Sequence, residues 1–249
     1  FMVGEVYGYG ISAGKHYSFG DREVDYFAHG IQSLINFEFK SNAHQSYEEL
    51  FSSYSAMLAG ELKGYGVLNY ISSHDDGGPF DQERKIPLEA ATKLLLCPGA
   101  SQIYYGDESS RELSIPGTQG DATLRGRMNW KEIESNASRQ GHAISDVMKH
   151  YQKLGIFRRE HPSVGAGRHQ EISKQPYVFS RSYVDGAYTD QVVVGLELEP
   201  GEKKIAVKTL FEDGTKLYDY YSGTYVTVDQ GWVTLYSEYN LVLLGRKKT

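Results

Sequence analysis

The spacing of apolar residues changes once along the chain, and this change constrains the fold more than any other feature. Up to about residue 160, short apolar runs alternate with segments whose apolar residues recur every three or four positions. Beyond about residue 165, only short apolar runs remain, separated by Gly, Asp, Asn and Pro. Strands alternating with helices predict a parallel sheet, whereas many short strands without helices predict an antiparallel sandwich or barrel. We therefore predict an α/β part at residues 1–163 and an all-β domain at residues 164–249.

The α/β part is predicted to contain about four strand–helix units. The strand candidates are Phe1–Glu5, Leu34–Phe39, Val67–Ile71 and Ser101–Tyr105. The helix candidates are Tyr47–Leu58, which Ser46 and Glu49 begin as a capping box, Pro87–Leu96 and Ile144–Phe157. A closed (β/α)8 barrel needs eight strands. The pattern therefore predicts the second half of a (β/α)8 barrel, although 249 residues would suffice for a whole one.

The all-β part is predicted to form an antiparallel sandwich of about eight strands. Its apolar runs are 177–179, 191–196, 204–207, 217–220, 225–228, 232–235 and 241–244. Many of the 20 tyrosines lie in these runs. Aromatic faces can bind sugars, but tyrosine also suits half-buried strands, so its abundance alone does not indicate a sugar site.

Charge and composition exclude several classes of partner. A formal net charge of -6 and a pI of about 5.8 give no electrostatic reason to expect nucleic acid or an anionic membrane. No apolar run reaches the length of about 18 residues that a membrane span needs. Cys97 is the single cysteine, so no disulfide can form within the chain. The strand candidate Phe1–Glu5 starts at the first residue of the sequence. We therefore expect a fragment that lacks its targeting segment.

Three polar motifs follow strand candidates. They are Gly4-Glu5-Val6-Tyr7-Gly8, the segment Asn69–Asp75 that ends in His74-Asp75, and the segment Pro98–Glu108. In a parallel barrel, the C-terminal ends of the strands hold the active site. Each motif alone is more often an ordinary loop carboxylate or a hydrogen-bonded pair than a site. Their shared position at strand ends is what makes them candidates.

Together, the motifs resemble the later half of the α-amylase family, glycoside hydrolase family 13. The stretch Gly4–Gly8 resembles the motif after the fifth barrel strand, and Asn69–Asp75 resembles the motif after the seventh. Pro98–Glu108 resembles the eighth strand and its exit, and Leu124–Trp130 resembles the Arg-x-x-Met-Asn-Trp stretch that follows. Within the family, the pattern is most similar to the periplasmic members from Gram-negative bacteria. The resemblance therefore suggests a periplasmic or extracellular location.

The resemblance implies a role for each candidate residue. Glu5 would be the general acid and base of a retaining hydrolase that cleaves α-1,4-glucosidic bonds in starch or maltodextrin. Asp75 would hold hydroxyls of the distorted sugar and stabilise the oxocarbenium-like transition state. His74 would hydrogen-bond the same sugar, and Tyr7 and Gly8 would border the leaving-group subsite. The resemblance implies no cofactor and no metal ligand in this sequence, with calcium a feature of many whole members.

The sequence lacks one essential part of the family's chemistry. The nucleophile motif, Gly-x-Arg-x-Asp, does not occur, and the nearest string, Asp21–Asp25, lacks its pattern. We therefore expect the isolated chain to be inactive on starch. Half a barrel also leaves two sheet edges and an inner face uncovered, so we expect self-association or binding to the missing N-terminal half.

Three alternatives remain open at this point. An α-glucosidase or a transglycosylase of the same family would share the catalytic residues, so the sequence does not separate them. A non-catalytic barrel relative would have lost its carboxylates, and Glu5 and Asp75 argue against that. A carbohydrate-binding or structural module is the third alternative, with Trp232 and the tyrosines of the all-β part as its candidate contacts.

Overall fold

A computed structural model describes residues 1–75 and 77–248. Its contacts divide the chain into two compact units, Phe1–Gln152 and Lys153–Thr249. The division lies inside the helix Ile144–Glu160. The boundary predicted after residue 163 therefore falls within the second unit. The physical reason is that the end of this helix packs with the all-β part. Phe157 contacts the ring of Tyr220, and the Tyr220 hydroxyl donates to Glu160 at 2.6 Å.

Within residues 1–75 and 77–152, the first unit has a parallel sheet, two hairpins and four complete α-helices. Its strands are β1 (Val3–Gly4), β2 (Tyr17–Phe19), β3 (Arg22–Val24), β4 (Ser33–Asn36), β5 (Gly66–Asn69), β6 (Ala100–Ser101), β7 (Ser138–Arg139) and β8 (His142–Ala143). Its helices are α1 (Phe39–Asn42), α2 (Tyr47–Ala59), α3 (Pro87–Leu96), α4 (Trp130–Glu134) and the start of α5 (Ile144–Glu160). Strands β1, β4, β5 and β6 pair side by side in that order, all parallel. The predicted four-stranded parallel sheet is confirmed.

One predicted detail of the first unit is wrong, and one segment had no predicted structure. Between β1 and β4, where no helix candidate was named, the chain forms the antiparallel hairpin β2–β3. The fourth parallel strand ends at Ser101 rather than Tyr105. The Gln102 amide still donates to the Asn69 carbonyl at 2.8 Å, but the chain then turns, and the Asp107 amide donates to the Tyr104 carbonyl at 2.9 Å.

Two buried asparagines join the middle of the parallel sheet. Asn36 and Asn69 are partners on β4 and β5, and Asn36 Nδ2 donates to Asn69 Oδ1 at 2.9 Å. Asn36 Nδ2 also donates to the Tyr54 hydroxyl at 2.9 Å, and Asn69 Nδ2 donates to the Pro98 carbonyl at 2.9 Å. These bonds satisfy buried amides and fix the level at which the two strands end.

Helix α2 begins at the predicted capping box. The Ser46 hydroxyl oxygen accepts from the Glu49 amide at 3.3 Å, and the Glu49 carboxylate accepts from the Ser46 amide at 3.2 Å. Each bond satisfies a backbone group that the helix itself leaves without a partner. The apolar face of the helix, including Leu50, Phe51 and Tyr54, is buried in the first unit.

Replacing Ser46 by alanine should lower the free energy of unfolding of the first unit by about 1 kcal/mol, because the cap is lost. Urea unfolding followed by circular dichroism measures this. Ser52→Ala is the matched control, since Ser52 lies inside the same helix and donates only to the Glu48 carbonyl. Equal losses for the two variants would show that the cap does not stabilise the helix.

The second unit is an antiparallel sandwich. After α6 (Ser163–Ala166) come β9 (Arg168–Lys174), β10 (Tyr177–Asp185), β11 (Tyr188–Leu196), β12 (Gly201–Ala206), β13 (Lys216–Asp219), β14 (Thr224–Thr227), β15 (Trp232–Ser237) and β16 (Val242–Gly245). Six strands form one sheet in the order β14-β13-β16-β11-β10-β9, and β12 pairs with β15. Valines, leucines and isoleucines from both sheets form one core cluster. The predicted all-β domain is confirmed, and β9, a polar edge strand, was missed.

A buried histidine and a buried aspartate contact each other next to the start of α6. His161 Nδ1 is 2.9 Å from Asp190 Oδ1, and the Ser163 amide donates to Asp190 Oδ2 at 2.9 Å. Both side chains are almost fully buried. Burial alone would raise the pKa of the Asp190 carboxyl, but the hydrogen bonds from His161 and Ser163 outweigh it and hold that pKa well below its usual range.

The second unit should therefore lose stability in acid. A carboxyl whose folded pKa is lowered contributes stability above its unfolded pKa, about 3.9, and loses it as the pH falls towards the folded pKa. Urea unfolding at pH 7, 5, 4 and 3 should show a smaller loss for Asp190→Asn than for the unaltered chain. The exposed Asp185→Asn variant should follow the unaltered chain, and an identical pH dependence for Asp190→Asn would contradict this prediction.

Candidate active site

Glu5 follows the C-terminal end of β1. Val3 and Gly4 pair with Ser33 and Leu34 of β4, so Glu5 is the first residue beyond the paired part of the strand, and its side chain is exposed. The chain then turns, with the Tyr9 amide donating to the Val6 carbonyl at 2.9 Å.

Gly8 allows this turn to pack closely. Its φ of 79° lies in the left-handed region, and a Cβ there would lie 2.8 Å from the Tyr17 hydroxyl. The same hydroxyl donates to the Tyr7 carbonyl at 2.9 Å, which ties the turn to β2. Gly8 is therefore required by the backbone, and its predicted contact with a leaving group stays a prediction.

Aromatic rings follow the ends of three neighbouring strands. Tyr7, after β1, meets Phe37, after β4, with ring centroids 5.3 Å apart. Phe37 meets Tyr70, after β5, edge to face at 5.9 Å. Tyr7 is 75% exposed, whereas Tyr70 is buried. The outermost ring of this row is therefore open to a ligand beside Glu5, as a sugar-binding role requires.

His74 and Asp75 lie in the turn after β5 and contact each other. His74 Nε2 is 2.8 Å from Asp75 Oδ2, and the two side chains remain 59% and 44% exposed. Arg125 binds both residues, because its guanidinium pairs with Asp75 Oδ1 and its Nε donates to the His74 carbonyl at 3.0 Å. The pair is thus oriented by a residue 50 positions away and stays accessible.

A buried ion pair binds the segment that leads into this turn. The Asp107 carboxylate accepts from the Ser72 hydroxyl at 2.6 Å and from Arg84 Nη2 at 2.8 Å. Arg84 Nε also donates to the Arg111 carbonyl at 2.9 Å. The three segments that carry Ser72, Arg84 and Asp107 are therefore held together, and Ser72 lies two residues before His74.

Tyr104 lies beside His74, with ring centroids 6.4 Å apart. Its hydroxyl donates to the Leu124 carbonyl at 3.0 Å, and the Arg111 guanidinium lies 5.2 Å from its ring centroid. The Tyr104 ring is therefore held in place beside His74. Burial raises the pKa of the Tyr104 hydroxyl to about 12, and the neighbouring Tyr105 contributes a smaller part of this increase.

Glu5 and the His74–Asp75 pair lie at the same end of one sheet. Strands β1 and β5 flank β4 and run parallel to it, so their axes are about 10 Å apart. Within the described residues, no hydrogen bond or ion pair joins Glu5 to His74 or Asp75. The structure brings His74 and Asp75 into contact, and it places Glu5 across β4 from them.

Three residues of this site had no role assigned from the sequence. Arg125 lay in a recognised motif, but nothing in the motif indicated that it would contact Asp75. Ser72 and Asp107 are 35 positions apart, and their contact depends on strand pairing. Among the residues that the structure describes, no group of three or more His, Cys, Asp or Glu side chains is placed to hold a metal ion.

Comparisons with known proteins connect this geometry to a family. No family model matches the sequence. The chain is 33% identical over 202 residues to the periplasmic α-amylase of Escherichia coli K12, a match that covers 78% of this chain and 25% of the relative. The chain thus spans about a quarter of the length of this curated relative.

Solved structures share the fold over the whole chain. An α-amylase from Anoxybacillus matches with a TM-score of 0.59 and 20% identity, covering 100% of this chain and 53% of that one. An α-amylase from Geobacillus thermoleovorans, solved with acarbose, matches with a TM-score of 0.60 and 18% identity, covering 100% and 54%. The sequence match and the shared fold together show that this chain is a relative of the α-amylase family and corresponds to the C-terminal half of an α-amylase-family protein, matching about half of each of the two solved structures.

Proposed function

We propose that this chain supplies the acid/base residue and the transition-state-binding pair of a retaining α-glucan hydrolase. The observation that carries the proposal is the position of Glu5 and His74–Asp75 at the C-terminal ends of β1 and β5, on one rim of a parallel sheet. That rim is where parallel barrels hold their active sites. Two comparisons support the choice of substrate. The chain is similar to a periplasmic α-amylase, and one related α-amylase structure contains acarbose.

Glu5 is proposed to act twice in the reaction. It protonates the glycosidic oxygen as the bond to the leaving sugar breaks, and it later removes a proton from the water that releases the covalent intermediate. Its exposure on the rim leaves it open to the leaving group. Tyr7, also exposed, offers a ring face beside the same position.

Asp75 and His74 are proposed to bind the ring that develops positive charge. The Asp75 carboxylate is held by Arg125 and His74, which fixes its oxygens before the substrate arrives. A carboxylate oriented in advance stabilises an oxocarbenium-like state without reorganising during the reaction. Donors on His74 and acceptors on Asp75 then match the sugar hydroxyls.

The nucleophile is proposed to come from a segment outside this sequence. Strands β1 and β6 are the edges of the parallel sheet, and a closed barrel would continue from both of them. The partners proposed for the chain are therefore the missing N-terminal half of the barrel, other copies of the chain through these edges, and an α-glucan. A periplasmic or extracellular location is proposed because the curated relative is periplasmic. Calcium is proposed only for the whole protein.

Activity measurements test the proposal. We define the completed barrel as this chain joined to the first four strands of a related α-amylase, which carry the Gly-x-Arg-x-Asp segment. The isolated chain should release no reducing ends from soluble starch, and the completed barrel should release them. Turnover by the isolated chain at the rate of a whole amylase would refute the role given to the missing segment. A folded but inactive completed barrel would refute the role given to Glu5 and Asp75.

Endo-cleavage is the finer part of the proposal, and product analysis tests it. Internal cleavage of amylose by the completed barrel should give oligosaccharides of mixed length early in the reaction. Glucose as the only early product would indicate an α-glucosidase, and products longer than the substrate would indicate a transglycosylase.

A further inference from the structure

Two backbone carbonyls in the segment before α4 are each held by two side-chain donors from another part of the first unit. The Leu124 carbonyl accepts from the Tyr104 hydroxyl at 3.0 Å and from Arg111 Nη2 at 3.2 Å. The Gly126 carbonyl accepts from the Tyr105 hydroxyl at 2.6 Å and from Arg111 Nη1 at 3.4 Å. The four donors belong to three side chains, Tyr104, Tyr105 and Arg111, which we call the clamp.

Arg125 lies between these two carbonyls and makes the contact with the candidate site. Its Nε donates to the His74 carbonyl at 3.0 Å, and its guanidinium pairs with the Asp75 carboxylate. The Arg125 and Asp75 side chains are both about half exposed. An exposed ion pair contributes little stability by itself, because solvent screens it and both side chains lose freedom when it forms. The contact with Asp75 therefore depends on where the backbone places Arg125.

Arg111 is a fixed group of the first unit. It is almost fully buried, and its guanidinium carbon lies 5.2 Å from the Tyr104 ring centroid and 4.3 Å from the Tyr105 ring centroid. Among the residues that the structure describes, the hydrogen-bond acceptors of the Arg111 side chain are all backbone carbonyls. A buried charge holds such partners firmly, because moving them away would leave the charge without hydrogen bonds.

Gly106 leaves the space that Arg111 occupies. Its φ of 91° lies in the left-handed region, and a Cβ there would lie 2.5 Å from both Cβ and Nε of Arg111. The Gly106 carbonyl also accepts from the Arg111 amide at 2.8 Å. The turn after β6 therefore brings Arg111 against the two tyrosines that precede Gly106.

We propose that the clamp positions the Asp75 carboxylate and acts on it through Arg125. The clamp fixes the backbone on both sides of Arg125, and the Arg125 guanidinium then fixes the orientation of the carboxylate. Arg111 suits this role because a planar guanidinium donates to two carbonyls at once, which a lysine ammonium on its flexible stem does not reproduce. The proposal rests on the proposed function only where it gives Asp75 a part in the reaction.

Hydrogen exchange in the isolated chain tests the placement of Arg125 without an activity measurement. The Arg125 Nε proton is protected from exchange with water while it is bonded to the His74 carbonyl. Replacing both Tyr104 and Tyr105 by phenylalanine keeps the rings and removes two of the four donors. Exchange of the Arg125 Nε proton, followed by ¹⁵N NMR, should then become about tenfold faster. Tyr26→Phe, the same substitution outside the clamp, should leave the rate unchanged. An unchanged rate in the double tyrosine variant would overturn the proposal.

Arg111→Lys is the second variant for the exchange measurement. It keeps the charge but loses the planar fork, so the Arg125 Nε proton should exchange at least as fast as in the double tyrosine variant. Arg22→Lys, the same substitution at an exposed position of β3, should have no effect. A folded Arg111→Lys chain with the exchange rate of the unaltered chain would also overturn the proposal. If Arg111→Lys does not fold, the double tyrosine variant decides.

A double-mutant cycle in the completed barrel tests whether the clamp acts through Arg125. The double tyrosine variant should lower kcat for starch about tenfold and change KM less than about twofold, because Asp75 acts on charge that develops in the transition state. In an Arg125→Gln background, the same double substitution should cause no further loss of kcat. Losses that multiply in the two backgrounds would overturn the proposal. An inactive but folded completed barrel would overturn the proposed function, and the exchange measurement would still decide whether the clamp places Arg125.

Discussion

Replacing Glu5 by glutamine is expected to lower the rate of starch hydrolysis by the completed barrel about 10²- to 10⁴-fold. Glutamine has nearly the same shape, but its amide does not transfer a proton to the glycosidic oxygen. The loss should appear in kcat for starch, because protonation of the leaving group occurs in the transition state.

A comparison of two substrates with different leaving groups makes this test specific for proton transfer. A nitrophenolate leaves without protonation, so a nitrophenyl maltoside should lose much less of its bond-cleavage rate than starch in the Glu5→Gln protein. Glu23→Gln, an exposed carboxylate on β3, is the matched control and should keep full activity. Equal losses for the two substrates would contradict the role of Glu5 as general acid.

Replacing Asp107 by alanine is expected to lower the free energy of unfolding of the first unit by about 3–5 kcal/mol. The Asp107 and Arg84 side chains are 0% and 3% exposed, and removing the carboxylate leaves the Arg84 charge buried without its partner. Arg84 also has a left-handed backbone, with a φ of 58°, which the surrounding bonds must hold in place. Urea unfolding of the first unit measures the loss.

An exposed ion pair in the same segment provides the comparison. Glu83 pairs with Lys85, and both side chains are more than half exposed, so Glu83→Ala should destabilise the first unit far less than Asp107→Ala. Replacing Arg84 and Asp107 together by Met and Leu should recover most of the loss, because no unpaired charge then remains buried. A loss below about 1 kcal/mol for Asp107→Ala would show that the pair does not hold the segments of Ser72, Arg84 and Asp107 together.

The periodicity of the sequence was enough to predict both architectures. Helices α2 and α3 carry apolar residues at helical spacing together with a start signal, Ser46 for one and Pro87 for the other, and their bounds were predicted almost to the residue. Apolar runs without helical spacing gave seven of the eight strands of the sandwich. These signals are local, so they can be found without knowing what packs against them.

The errors occur in segments whose secondary structure depends on contacts with residues elsewhere in the chain. Strand β9 has the polar sequence Arg-His-Gln-Glu and forms only because it pairs with β10. The run Ser101–Tyr105 looks like a strand, but β5 pairs only with its start, and the tyrosines turn to stack on Arg111. Local propensity is overridden in both cases by tertiary contacts.

The same distinction applies to the candidate site. Glu5, His74 and Asp75 were identifiable because each follows a strand, and the rule that active sites lie at strand ends needs only the order of elements. Arg125 and Asp107 act on the site across 50 and 35 positions of sequence, through Asp75 and Ser72 respectively. Only the folded chain brings such residues together.

Glu5 and Asp75 are proposed to contact one and the same sugar ligand from the ends of β1 and β5. Titrating acarbose into the completed barrel while following the side-chain carboxyl ¹³C resonances of these two residues tests it most directly. Both resonances should shift along curves with a single dissociation constant. Saturable binding of acarbose that moves only one of the two carboxyl resonances, or neither, would contradict the claim.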